Sequence, residues 1–325
     1  SRLEDACEMD DFLRTPATWS DFTFLEADEA SRTISFKGGR CILSRNLVIP
    51  TGWRLVAPPG LVLDLANSAK ILSHSPLEFV GTEEHPIMVR SSDATGQGIA
   101  VLNTEAPSRF EYVEFSGLSN PSDGEWRLTG SLTFYQAPVS FSHCTFTGSR
   151  CEDGLNTIRC KFSIRNSVFS NMLSDAFDAD FCDCLISQSS FVDCGNDGID
   201  VSGSTVRIDS IGITRSGDKG ISVGEESQLT GRDTSIEDGE IAIASKDLSS
   251  IDVSDVKARN CRIGLVAYQK KPEFGPAEIV CQSVSLVDIP IPHLAEEGSS
   301  VTIDGVTVPS PHRNVYDTLY GEDQE

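Results

Sequence analysis

Positive charge is the scarcest resource in this chain: 26 Lys and Arg stand against 49 Asp and Glu, a formal net charge of -23 at pH 7. A phosphate-binding surface needs clustered cations, so nucleic acid is excluded as an expected partner and anionic membranes are disfavoured. Apolar runs are short as well. None approaches the roughly 18 residues a membrane-crossing helix requires, so no membrane span is expected. Histidine is rare, with only His74, His85, His143, His293 and His312. All five lie outside the repeated positions described next, which argues against a Ser/His/Asp triad or a histidine-ligated metal. Nothing near Ser1 reads as a charged and apolar leader, as in a mature or excised chain, and that leaves the compartment open.

What the chain does have is a period. Gly154, Ala176, Gly198, Gly220, Ala242 and Gly264 follow one another at 22-residue intervals, each with an apolar residue after it. A period of this size means one supersecondary unit stacked on copies of itself. Two more columns keep the same spacing: Phe169, Phe191 and Ile213, and Ile164, Ile186 and Ile208. Three apolar columns per repeat imply three strands around one interior. The intervening segments are short and rich in Ser, Thr, Asn, Asp and Gly, which suits tight turns and leaves no room for helices. The Leu-x-x-Leu-x-Leu-x-x-Asn signature of leucine-rich repeats is missing. The fold predicted is therefore all-β, a right-handed parallel β-helix with about 22-residue coils.

A solenoid grows by adding coils, so 325 residues need not be divided into several globular domains. Residues 1–40 lack the period and are expected to form a non-repetitive N-terminal cap. Residues 41–308 are assigned to the β-helix, irregular at first, and 309–325 to a C-terminal tail or cap. Residues 117–129, with Trp126, and Gln269 to Pro276 interrupt the pattern, and such excursions are where solenoids carry function. The ten cysteines do not space as a zinc site. Cys160 and Cys182, one coil apart, are either buried free thiols or a disulfide.

The position before the small column reads Asp153, Asp175, Asp197, Lys219, Ile241, Ile263. The position two residues after it reads Asn156, Asp178, Asp200, Ser222, Ala244, Val266, with Asp180 beside it. Polarity is thus confined to a few coils. Like charges stacked at about 4.8 Å repel by roughly 3–4 kcal/mol at an effective dielectric of 20, so a purely structural demand does not explain so many. An Asn/Asp turn ladder is one reading. A second is a cation such as Ca²⁺ held by Asp175, Asp178, Asp180 and Asp200, with Asp197 nearby. A third is acid and base chemistry by the carboxylates. Lys219 is expected to abut Asp197 as counter-ion, substrate anchor or, if desolvated, base. Lys246, Tyr268, Lys270 and Lys271 continue the same face as a more basic stretch. Trp126 and Tyr268 either stack on sugar rings or are edges of the core.

Two segments one coil apart carry a family resemblance. Gly195-Asn-Asp-Gly-Ile-Asp-Val-Ser-Gly-Ser204 and Ser216-Gly-Asp-Lys-Gly-Ile-Ser-Val-Gly-Glu225 resemble the polygalacturonase-type pectinases, right-handed parallel β-helix glycosidases with Asn-Thr-Asp-Gly-Ile/Phe-Asp followed by Gly-Asp-Asp-Cys. The resemblance covers about 30 residues. It implies that Asp197 matches the first catalytic aspartate and Asp218 the first of the Asp-Asp pair. Lys219 replaces the second member of that pair, Gly195-Asn196 replaces Asn-Thr, and the family's Gly-His-Gly and Arg-x-Lys are absent.

The expected function is a polysaccharide-acting protein, with Asp197, Asp218, Lys219 and Asp175 as catalytic residues. Trp126, Lys246, Tyr268 and Lys270 are expected to hold the glycan. A hydrolase would use a carboxyl as acid and a second carboxylate as its partner; a lyase would use Lys219 as the base. The alternative is a non-catalytic surface β-helix that binds a glycan or a protein partner. Either role implies an extracellular, periplasmic or cell-surface location.

Overall fold

The computed structural model describes residues 12–321. An eleven-stranded parallel sheet runs in chain order from Leu47–Ile49 through Asp153–Ile158, Asp175–Asp180, Ile199–Ser202, Lys219–Gly224, Ile241–Lys246 and Ile263–Tyr268 to Ile291–Ala295. It is called the first sheet below. The strands between successive members form the remaining faces, in one large sheet of 20 strands. Asp178 pairs with Asp200 and Asp200 with Ser222, so the 22-residue arithmetic is the hydrogen-bonding register itself.

The coils turn on one or two residues at a time in the left-handed region. After Asp175–Asp180, the chain bends at Phe181 (φ 55°), Gln188 (φ 49°) and Asp193 (φ 57°). One such residue reverses the local curvature in the fewest atoms, and Asn and Asp tolerate it best among residues with a Cβ. The corner at Gln188 accordingly recurs at Asn166, Ser210, Asp233 and Asp255.

Inward-facing residues stack on their own kind. Phe146 and Phe169 lie 4.2 Å apart with rings nearly parallel, and Phe169 and Phe191 lie 4.9 Å apart. The column then continues as Ile213 and Ile236. The small-residue column has a different cause. The first sheet pairs Asp153 with Asp175 and Leu155 with Phe177 but skips Gly154 and Ala176, the mark of an extra residue in each strand. There the backbone of one coil approaches the next so closely that a Cβ on Gly154 or Gly220 would meet a carbonyl oxygen at 2.7 Å. The extra residue brings positions 153 and 156 onto the same outward face, where strict alternation would separate them.

That outward face is covered at both ends. On the N-terminal side, Val48, Leu72, Ala100 and Leu102 form an apolar patch under Leu13, Trp126, Leu128 and Tyr135. On the C-terminal side, Ile241, Ala244, Ile263, Val266 and Tyr268 pack beneath helix α1 (Val315–Tyr320), which inserts Val315 and Leu319. Asn314 caps α1 by accepting from the Asp317 N–H at 3.0 Å. In the segment expected to be a C-terminal tail or cap, α1 lies over the apolar half of the first sheet. Glu296 fastens it by accepting from the Val315 N–H at 3.1 Å. Among the described residues no helix is long and apolar enough to cross a membrane. Nine described cysteines, Cys160 and Cys182 included, are buried free thiols; Cys7 lies outside the described residues.

Candidate functional site in the cleft of the first sheet

Between the two covers lies the polar stretch anticipated in the sequence. Asp153, Asn156, Asp175, Asp178, Asp180 and Asp200 come from three consecutive strands, and Asp197 from the turn just before the third. Asn156 donates to Asp153 at 3.3 Å and to Asp178 at 2.8 Å, which ties the two acidic columns together.

The column nearer the turn is partly a ladder. Asp175 Oδ1 accepts from the Asp197 N–H and from the Asn196 amide, both at 2.7 Å. Asp197 Oδ1 accepts from the Lys219 N–H at 2.8 Å. Burial nevertheless outweighs these bonds. Asp153 and Asp175 are pushed up to about 6, and Asp197 to about 7, by desolvation; Lys219 pulls Asp197 the other way.

Lys219 closes this column. The residue is 5% exposed, and its ammonium lies 3.6 Å from Asp197 Oδ1 and bonds to Asp218. The ring of Tyr320 on α1 stands 5.6 Å from the ammonium, and the Tyr320 hydroxyl donates to Asp218 at 3.0 Å. The two carboxylates hold the Lys219 proton against the opposing effect of burial, raising its pKa well above that of a free lysine. Of the three roles open to Lys219 from the sequence, counter-ion is the one this geometry matches. An ammonium paired with two carboxylates has no free lone pair, so the base role would require Lys219 to lose its proton first. Asp218, matched by resemblance to a catalytic aspartate, is an acceptor in the same network. Tyr320 was missed in the sequence. It is 102 residues from Asp218, and no local pattern links the two.

The second acidic column opens more to the cleft. Asp178 is raised well above the usual carboxyl range by desolvation, reinforced by Asp153, Asp180, Asp200 and Asp175. Asp180 is raised by desolvation, then by Glu225 and Asp200. Asp200 Oδ1 is buried without a hydrogen-bond partner, and Lys246 Nζ lies 3.8 Å from it. The loop after Tyr268 forms the rim. Asp247 Oδ1 accepts from the Lys270 and Lys271 N–H groups at 2.7 Å each, and Lys271 pairs with Glu225. Lys270 is held below the ordinary lysine value by the atoms packed around it and by Lys246 and Lys219.

Of the two rings expected to meet a glycan, one is covered. Tyr268 is fully buried under α1 and presents no face to solvent, because its column crosses into the covered half. Trp126 sits in a short hairpin, Ser122–Asp123 with Trp126–Arg127, and packs on the N-terminal apolar patch. For the cation, no three of the described Asp, Glu, His or Cys side chains converge as a ready-made metal cage.

A family model for the right handed beta helix region matches residues 153–279, which include the whole acidic stretch. The chain is a right-handed parallel β-helix. Solved structures agree. Similarity extends to an alginate lyase from Paenibacillus sp. str. FPU-7, at 11% identity and a TM-score of 0.52 over 77% of this chain and 92% of that one. It extends to the Agl-KA catalytic domain at 12% identity and a TM-score of 0.50, over 89% and 68%. The enzymatically active domain of tailspike protein 2 from bacteriophage CBA120 shares 10% identity and a TM-score of 0.56, over 83% of this chain and 48% of that one. At such identities the likeness is one of fold. No curated protein matches the sequence.

Proposed function

We propose that this β-helix acts on a polysaccharide laid across the outward face of the first sheet, outside the cytoplasm, as a glycoside hydrolase. The carrying observation is the pairing of Asp178 with Asp200 across one coil. Asp178 is held well above the usual carboxyl range by burial and neighbouring carboxylates, and the Lys246 ammonium lies 3.8 Å from Asp200 Oδ1. Two adjacent carboxyls with unlike neighbours, one among carboxylates and one beside an ammonium, suit the acid and nucleophile roles. Asp178 would protonate the glycosidic oxygen as its C–O bond breaks, and Asp200 would meet the anomeric carbon. Strands about 4.8 Å apart put the two carboxyls close to the roughly 5 Å separation of retaining enzymes, and water would then release the sugar from Asp200. The Asp175, Asp197, Lys219 and Asp218 network holds the floor; Trp126 and Lys270 stand at the rims to position the chain. The β-helix enzymes similar in fold, an alginate lyase among them, support a carbohydrate setting.

The test is a panel of neutral and acidic polysaccharides, with and without Ca²⁺, read for reducing ends, unsaturated uronates and anomeric configuration. Reducing ends with retained configuration, falling at least ~10³-fold in D178N and D200N, are expected. Unsaturated products would replace the hydrolase with a lyase, and dependence on Ca²⁺ would restore the cation reading. The fully paired Lys219 and the backbone-bonded Asp175 and Asp197 favour a second reading, a glycan-binding β-helix without turnover. Binding without products across the panel would establish it.

A further inference from the structure

A second groove lies on a different face, over the corner that joins the two halves of the long strands Asp183–Cys194 and Thr205–Ser216. Its volume is about 810 Å³, and Arg165, Arg207 and Arg232 line it in a protein of net charge -23. Arg232 is engaged: its Nε and Nη2 donate to the two oxygens of Asp209 at 3.2 and 3.1 Å. The guanidinium groups of Arg165 and Arg207 have no hydrogen-bond or ion-pair partner among the described residues. Between them sits Ser187, 6% exposed, whose buried hydroxyl lines the groove with no partner of its own. Two unengaged guanidinium groups beside an unsatisfied hydroxyl are unusual on this surface, where exposed arginines such as Arg215 and Arg259 pair with the carboxylate one coil away.

We propose that this groove is a binding site for an acidic oligosaccharide, separate from the cleft of the first sheet and independent of its chemistry. The guanidinium groups supply planar, paired donors for carboxylates. Arg165 and Arg207 lie two coils apart, roughly 10 Å along the axis, so the ligand carries its charges at sugar spacing and not at the density of a nucleic acid. Leu185 and Gly231 also line the groove and give the C–H face of a sugar an apolar shelf; Thr230 and Ser254 offer hydroxyl partners.

Titration calorimetry with trigalacturonate at about 20 mM salt tests the site, since low salt leaves a surface charge pair unscreened. The wild type is expected to bind, R165Q/R207Q to lose at least tenfold in affinity, S187A to lose a few-fold, and D178N/D200N to bind as the wild type does. Both arginines are exposed and unpaired, so R165Q/R207Q should melt where the wild type does. The proposal is overturned if the wild type does not bind, or if the double arginine variant binds unchanged. It is equally overturned if maltotriose or inorganic sulfate binds as tightly as trigalacturonate, or if only D178N/D200N loses binding, which would assign the ligand to the cleft.

Discussion

The first sheet uses one set of outward columns in two ways. Over three coils these columns carry Asp153, Asp175 and Asp197 beside Asn156, Asp178 and Asp200; two coils further on they carry Ile241 and Ile263 beside Ala244 and Val266. The backbone register is the same in both stretches, so strand geometry does not decide the chemistry. The cover does. Where α1 lies on the sheet, every outward residue must be apolar to avoid burying an unpaired polar group; where the face opens to a cleft, carboxylates survive by bonding one another's coils. Lys219 and Tyr320 mark the seam. One ammonium ends the acidic column, and a residue from the covering helix completes its coordination.

The largest effect is expected from forcing the acidic pattern into the covered half. Ile263 is fully buried beneath α1, so I263D places a carboxylate there with no counter-ion. A loss of at least ~4 kcal/mol, or release of the helix, should follow. Amide exchange across Val315–Tyr320 with the melting temperature reads both, and unaltered protection would show that α1 does not define the boundary.

Removing the seam charge comes next. K219M leaves Asp197 and Asp218 facing a buried void of charge and should cost about 3–5 kcal/mol at pH 8. The pH dependence has a definite sign. The folded carboxyl of Asp197 sits at about 7, above its unfolded value, so the folded state binds the proton more tightly. Stability therefore falls as pH rises from about 4 through about 7, in the wild type and more steeply once Lys219 is gone. Urea unfolding at pH 5 and pH 8 should show K219M losing less at the lower pH; equal losses would mean that Asp197 is not what Lys219 neutralises.

The smallest change sharpens the seam. Y320F removes the hydroxyl that donates to Asp218 and keeps the ring beside the Lys219 ammonium. About 1 kcal/mol is expected, against more for Y320A, which also loses the packing on α1. Identical losses for the two variants would place all of the contribution in the ring.

Much of this was legible in the chain because a parallel solenoid converts sequence period directly into contact. Gly154 to Gly264, the Phe169 and Ile164 columns and both acidic columns occupy the registers their spacing implies, and the meeting of Lys219 with Asp197 follows from the same arithmetic. Tyr268 shows the limit. Its place in a column was correct, yet its burial depends on α1, which is distant in sequence and too short to announce itself by periodicity. The groove at Ser187 was hidden for a related reason, since an unpaired arginine is defined by the partners it lacks.

The sequence by itself determined the stacking, the register and which residue types face each other across the coils of Asp153–Tyr268, because those coils of the first sheet repeat one hydrogen-bonding period and side chains follow it. Only the tertiary structure decided which stretches of the outward face are roofed and which stay open. That choice rests on contacts between the coils and the segments that cross them, α1 and the Trp126 hairpin, and such contacts have no period to read.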